Sequence, residues 1–123
     1  MNRRDLLLST LVTGLTRPFF GGQDDLDPLK LTPKTHKLLF ENRYVRVIES
    51  RVPAGGNEPK HSHPRSVTVY LADSESEIRT FPDEKVSRVH RTAGTAGWSE
   101  ATTHEIKNVG TTTAHTIRIE LKC

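Results

Sequence analysis

Cysteine is almost missing from this chain of 123 residues: Cys123 is the single thiol. One cysteine forms no intrachain disulfide, and a thiol at a chain end is a poor candidate for catalysis. Aromatic residues are also scarce, at 6%. No run of Lys and Arg exceeds two residues, and no basic stripe is visible. Without a basic track and with few aromatic rings for bases to stack on, nucleic acid is excluded as an expected partner. The formal charge of +3 is weaker than it looks, because Arg3, Arg4 and Arg17 set against Asp5 supply +2 of it. No apolar run approaches the ~20 residues that cross a bilayer, so no stable membrane span is expected. A helical period longer than two turns, an internal repeat and a low-complexity tract are all lacking.

What is present begins with Arg3-Arg4 ahead of Leu6-Leu7-Leu8 and Leu11-Val12. A positive start followed by a short apolar stretch has the layout of a secretory signal, and the paired arginines resemble a twin-arginine signal. Residues 1–22 are therefore expected to be a signal peptide and the protein to be exported or periplasmic. A cytoplasmic protein with a short amphipathic start is the alternative, since no Ala-x-Ala cleavage site follows. Residues 23–34 read as a linker or arm, in which Pro28 and Pro33 argue against a helix. The remainder, 35–123, reads as one domain.

That domain is written in alternating strands. Val45 and Val47 face opposite Arg46, Ile48 and Ser50. Val67, Val69 and Leu71 face opposite Thr68 and Tyr70. Ile117, Ile119 and Leu121 face opposite Thr116, Arg118 and Glu120. Residues 78–90 form a hairpin about Pro82-Asp83-Glu84-Lys85. Seven or eight short strands at this spacing predict an all-β sandwich or barrel, packed on one strand face and wet on the other.

The chemistry concentrates in histidine. His61 and His63 are two apart on a strand, so both rings leave the same face. Odd numbering carries that face on to Val67, Val69 and Leu71, unless a bulge at Pro64 intervenes, and places the histidines at an apolar interior. Neutral imidazoles bound to a metal ion would avoid the cost of burying them as charges. On a later strand His104 shares a face with Thr102, Ile106 and Asn108. His36, His90 and His115 read as surface histidines. Glu105 faces outward by parity, Glu100 has no fixed role, and Tyr70 lies on the polar side.

Gly55-x5-His61-x-His63 resembles the first half of the first cupin motif. His104-x3-Asn108, preceded by Gly94 and Gly97, resembles the end of the second. More narrowly, residues 36–122 are similar to the small cupins named for beta-alanine degradation. The phrases that carry this likeness include Phe40-Glu41-Asn42, His61-Ser62-His63-Pro64, Phe81-Pro82-Asp83 and Asn108-Val109-Gly110. The resemblance implies a cupin-type jelly-roll β-barrel with one divalent metal ion (Fe, Zn, Mn or Ni) on His61, His63 and His104. It implies a pocket lined by Val67, Val69, Ile106, Trp98 and Asn108, where Trp98 stands at the mouth or caps the core. The chain departs from the motif where a glutamate usually follows the second histidine: Val67 and Thr68 stand there. Three neutral ligands would leave the full charge on the ion and favour a small organic anion. Three functions follow. One is a metal-dependent enzyme of dioxygenase-like or isomerase type. Another is a non-catalytic barrel that binds a metal or small molecule. The third is a structural homodimer with a decayed site, in which 21–34 serves as a pairing arm.

Overall fold

The computed structural model describes residues 25–122; the expected signal peptide and Cys123 lie outside them. Nine strands follow one helical turn. They are β1 (His36–Glu41), β2 (Val45–Val52), β3 (Asn57–His63), β4 (Ser66–Tyr70), β5 (Ser74–Phe81), β6 (Lys85–Arg91), β7 (Thr95–Ser99), β8 (Thr102–Asn108) and β9 (Ala114–Leu121). One sheet has the order β1-β2-β9-β4-β7 and the other β3-β8-β5-β6, with every pairing antiparallel. Only β1–β2 and β5–β6 are hairpins within a sheet; each other connection crosses to the opposite sheet. That nested crossing is the jelly-roll barrel, which closes two sheets over one interior. Gly55, at a φ of 78°, turns the chain out of β2 in a conformation that glycine adopts without strain.

The segment expected to be a linker contains a short helix, α1 (Pro28–Leu31). Asp27 caps it by accepting from the Leu29 N–H at 2.9 Å. Pro28 sits at its first position, where no N–H is needed, so the proline starts the turn instead of breaking it. This segment is not a free arm. The Leu26 carbonyl accepts from the Ser62 N–H on β3 at 2.8 Å, and Asp27 is bound to Arg46 on β2. No helix among the described residues is long and apolar enough to cross a membrane.

The interior differs most from expectation. On β4 it is Ser66 and Thr68 that are buried, while Val67 and Val69 lie on the outer face. Between His63 and Ser66 the chain leaves the four-stranded sheet through Pro64-Arg65 and joins the five-stranded one, so the parity of β3 is not carried into β4. On β9, similarly, Thr116 and Arg118 line the interior and Glu120 is buried. The lumen is therefore mixed, with these polar and charged groups set among Ile48, Val52, Ile78, Val89 and Ile106. Among the described residues the buried apolar side chains are few: Ile48 and Val52 in the strands and Pro28 in α1.

Candidate metal centre

Four buried or lumen-facing histidines gather where β1, β3 and β8 meet. β3 and β8 pair with His61 opposite His104, and an irregularity between Glu58 and His61 lets both of these β3 residues face inward. His61 is fully buried, and its ring centroid lies 4.8 Å from His104, 4.9 Å from His63 and 5.6 Å from His36. His63 is 5.3 Å from His104 and 6.3 Å from His36. The expected trio His61, His63 and His104 does converge. His36, expected at the surface, joins it: one ring nitrogen from each of His36, His61 and His63 lies within 4.8 Å of the others. β1 pairs His36 with Ser50, and α1 covers it from outside, which is why it is only 8% exposed.

Hydrogen bonds fix which nitrogen is free in His36, His61 and His63. The Thr32 hydroxyl donates to the Pro28 carbonyl at 2.6 Å, so the 2.6 Å contact of His36 Nδ1 with Thr32 Oγ1 is made by an Nδ1–H. His61 Nδ1 is 2.6 Å from the Pro59 carbonyl, which can only accept. His63 Nδ1 is 2.7 Å from Glu120 Oε2. In these three rings the proton is held at Nδ1, leaving the Nε2 lone pair for a ligand. Nε2 of His61 and of His104 are buried with no hydrogen-bond partner among the described residues. Two such orphans in one cluster need an explanation, and a metal ion bound by imidazole nitrogens provides it. The donor set therefore fits a divalent ion: His61 and His63 at the centre, with His104 and His36 beside them.

Electrostatics agree. Burial pushes His36 down to about 4 and His104 down to about 3. Burial also lowers His61, and it holds His63 well below the ordinary imidazole range. All four are neutral near pH 7, the form that ligates.

The Glu120 carboxylate completes a chain behind His63. Arg46 donates to it from Nε at 3.0 Å and grips Asp27 through both Nη groups at 2.9 and 3.0 Å. Burial raises the Glu120 pKa, and the Arg46 charge opposes that. The run Asp27–Arg46–Glu120–His63 thus ties α1 to the orientation of one imidazole.

The cavity holds about 340 Å³. Ile106 and Asn108 line it as expected, whereas Thr68 and Tyr70 stand where Val67 and Val69 were expected. Asn108 is committed to structure: its amide donates to the Val52 and Thr112 carbonyls at 2.9 Å, and its Oδ1 accepts from the Gly110 N–H at 2.9 Å. Trp98 borders the cavity but does not cap a core. It is 55% exposed, pairs with Val67 on β4, and donates its indole N–H to Glu100 at 2.6 Å. Glu105 faces outward toward Arg79 at 3.3 Å, and His90 is exposed, both as expected. His115 is on the outer face too, half-buried against Glu49 at 2.7 Å.

Sequence reading passed over Glu58, which is 3% exposed and lines the cavity. It accepts from Thr35 Oγ1 at 3.0 Å and Ser50 Oγ at 3.3 Å, and it lies 3.2 Å from His36 Nδ1. Burial raises its pKa. No periodicity marked it, because the irregularity in β3 alone turns it inward.

A cupin domain from Bordetella pertussis Tohama I matches this chain with a TM-score of 0.66 and 26% identity, over 72% of this chain and 92% of its own. The fold is that of the cupins. An RmlC-like cupin family protein with a double-stranded β-helix fold from Methanocaldococcus jannaschii matches at a TM-score of 0.56 and 12% identity, over 70% and 77% of the two chains. A conserved protein with a double-stranded β-helix domain from Klebsiella pneumoniae matches at 0.57 and 16%, over 71% and 75%. No family model matches the sequence, and no curated protein does.

Proposed function

We propose that this cupin barrel holds one divalent ion through His61, His63 and His104, with His36 as a further ligand, and handles a small organic anion in the lumen. The observation that carries this reading is the pair of buried, unpartnered Nε2 atoms of His61 and His104. An ion bound there would supply Lewis acidity or redox chemistry. The chain's own contribution is to fix the tautomers of His36, His61 and His63 through Nδ1 and to shield the cluster. Glu58 is the one carboxyl that both lines the cavity and lies beside His36, and burial raises its pKa, which makes it the candidate for proton exchange. Oxygenase-type or isomerase-type turnover is the enzymatic form of the reading. A binding barrel without turnover is the alternative, favoured by the hydrogen bonds that already occupy Glu58. Elemental analysis of the purified protein decides the first step: about one ion per chain is expected. A protein that takes up no Fe(II), Zn(II), Mn(II) or Ni(II) would sink it.

The phrases of residues 36–122 support a place among the small cupins named for beta-alanine degradation. Arg3-Arg4 and the apolar stretch after them support export. Cell fractionation should recover the protein from the periplasm and, after Arg3→Lys with Arg4→Lys, from the cytoplasm; the same distribution for both would refute export.

The outer face of the five-stranded sheet supports a homodimer. Phe40, Val47, Ile119, Val67 and Trp98 are matched in register across all five strands, with Ile117 and Val69 in the next row. More of the strand hydrophobics thus point out of the barrel than into it. Two strands of eight residues within a sheet five strands wide offer a face of roughly 600 Å². That approaches the ~800 Å² that each partner buries in a stable complex, and a second copy offers the same apolar surface. Light scattering should give twice the chain mass for the native protein and the single mass for Val67→Asp with Ile119→Asp. A monomeric native protein would end this reading.

A further inference from the structure

The lumen wall carries a cation that the metal centre does not use. Arg118 on β9 lines the cavity between Ile48 of β2 and Thr68 of β4, its register partners. Its Nη1 donates to Ser66 Oγ at 2.8 Å. Among the described residues no carboxylate oxygen comes within 4.0 Å of its guanidinium, although Glu120 and Glu58 are close enough to act through space. Glu120 is already claimed by Arg46 and His63, and Glu58 by Thr35 and Ser50. Burial lowers the Arg118 pKa, but guanidinium stays charged across the physiological range. A buried cation with one of its five N–H groups engaged is expensive unless a counter-charge reaches it.

The rest of the wall shows what kind of counter-charge fits. Thr68, Ser76, Thr80, Ser87, Thr102 and Thr116 put hydroxyls on the cavity, and Tyr70 lines it under the Arg91 guanidinium, 5.2 Å above the ring. Such a lining offers hydroxyls to a polar ligand beside an apolar patch of Ile48, Val52, Ile78, Val89 and Ile106 that suits a short carbon chain. A volume of about 340 Å³ holds on the order of ten non-hydrogen atoms at the ~30 Å³ that one water occupies.

Resting on the metal-binding reading for the second end of the ligand, we propose that Arg118 anchors the carboxylate of a small, polar organic acid in the lumen. The guanidinium fork matches the two oxygens of a carboxylate, and Ser66 holds the fork from behind. The ligand's remaining polar groups then face the hydroxyl wall and the histidine cluster.

The test is calorimetric titration of acetate, succinate, inorganic phosphate and uncharged acetamide into chelator-treated and Zn(II)-loaded protein, native and Arg118→Gln. Arg118→Lys, which keeps the charge, guards against a folding defect, and ion content is measured in every sample. A carboxylate should bind the native protein and weaken roughly 10- to 150-fold in Arg118→Gln, the range for a hydrogen bond to a charged group. Arg118→Lys should fall between, acetamide should not bind, and ion content should not change. Equal binding by native and Arg118→Gln overturns the proposal, as does no carboxylate binding at about 10 mM, where a millimolar site would be filled. Preference for phosphate over both carboxylates overturns the carboxylate assignment. Carboxylate binding that requires Zn(II) and ignores Arg118→Gln removes the Arg118 anchor and leaves the metal centre standing. Arg118-dependent binding by a protein that never takes up an ion does the reverse.

Discussion

A His61→Ala/His63→Ala protein should fold and hold no divalent ion, against about one per chain for the native protein. These two residues belong to every plausible ligand set: both are in the group with His36, and His61 has the shortest ring distance to His104. Folding should survive because β3 pairs with β8 through backbone bonds from Asn57 to His63, which the substitutions leave intact. Truncation removes one unpartnered buried nitrogen, His61 Nε2, but also takes the His63 partner from buried Glu120, so the metal-free variant should be less stable by about 1–3 kcal/mol while keeping its fold. The native protein should melt higher when an ion is added and the variant should not, since a ligand stabilises only the state that binds it. His36→Ala and His104→Ala then divide the remaining ligands: whichever lowers ion affinity more identifies the third. Ion content unchanged in the double variant would remove the site from His61 and His63.

The metal-free protein should lose stability as pH falls from neutral. His36 and His104 have folded values of about 4 and about 3, both below the 6.5 of an unperturbed imidazole, because burial disfavours the charged ring. Below 6.5 the unfolded chain binds protons that the folded chain refuses. The contribution of these rings is therefore complete above that pH and drains away toward their folded values. At pH 5.5, one unit below 6.5, each ring has cost about 1.4 kcal/mol, or roughly 3 kcal/mol for the two. His61 and His63 are lowered as well and act in the same direction. Glu58 and Glu120, raised by burial, oppose the trend, since their protonated forms favour the folded state at low pH. Four rings outweigh two carboxyls, and at ~4–8 °C per kcal/mol the melting temperature should drop by on the order of 10 °C between pH 7.5 and 5.5. Thermal melts of chelator-treated protein measure this directly. A flat profile over that interval would mean that the histidines take up protons in the folded state and are not buried as described.

Most of the framework was legible in the chain itself. Alternation placed most of the strands, seven or eight being expected against nine observed, and β5 begins four residues ahead of the expected hairpin. His61 and His63 had to share a face, and His104 had to return on a later strand, because side-chain direction along a strand repeats every second residue. The short helix at Pro28–Leu31 was legible in principle, through Asp27 ahead of a proline, and was hidden by treating proline only as a breaker.

Which face of each strand turns inward was not written locally. Alternation says that two faces differ; it does not say which one is covered. Apolar parity suggested Val67 and Val69 for the interior, and the closed barrel put Thr68 there instead, together with Arg118 and Glu120 of β9. Crossing between sheets at Pro64-Arg65 resets the parity. The buried polar groups are sustained by partners distant in sequence, with Arg46 reaching both Asp27 and Glu120, and Glu120 reaching His63. His36 entered the cluster for the same reason, since only the pairing of β1 with β2 and the cover of α1 bury it. The sequence by itself determined the strands and the histidine spacing, because both are set by the two-residue period of the backbone. The tertiary structure decided the lining of the lumen, because burying charge depends on counter-charges that meet only when the two sheets close.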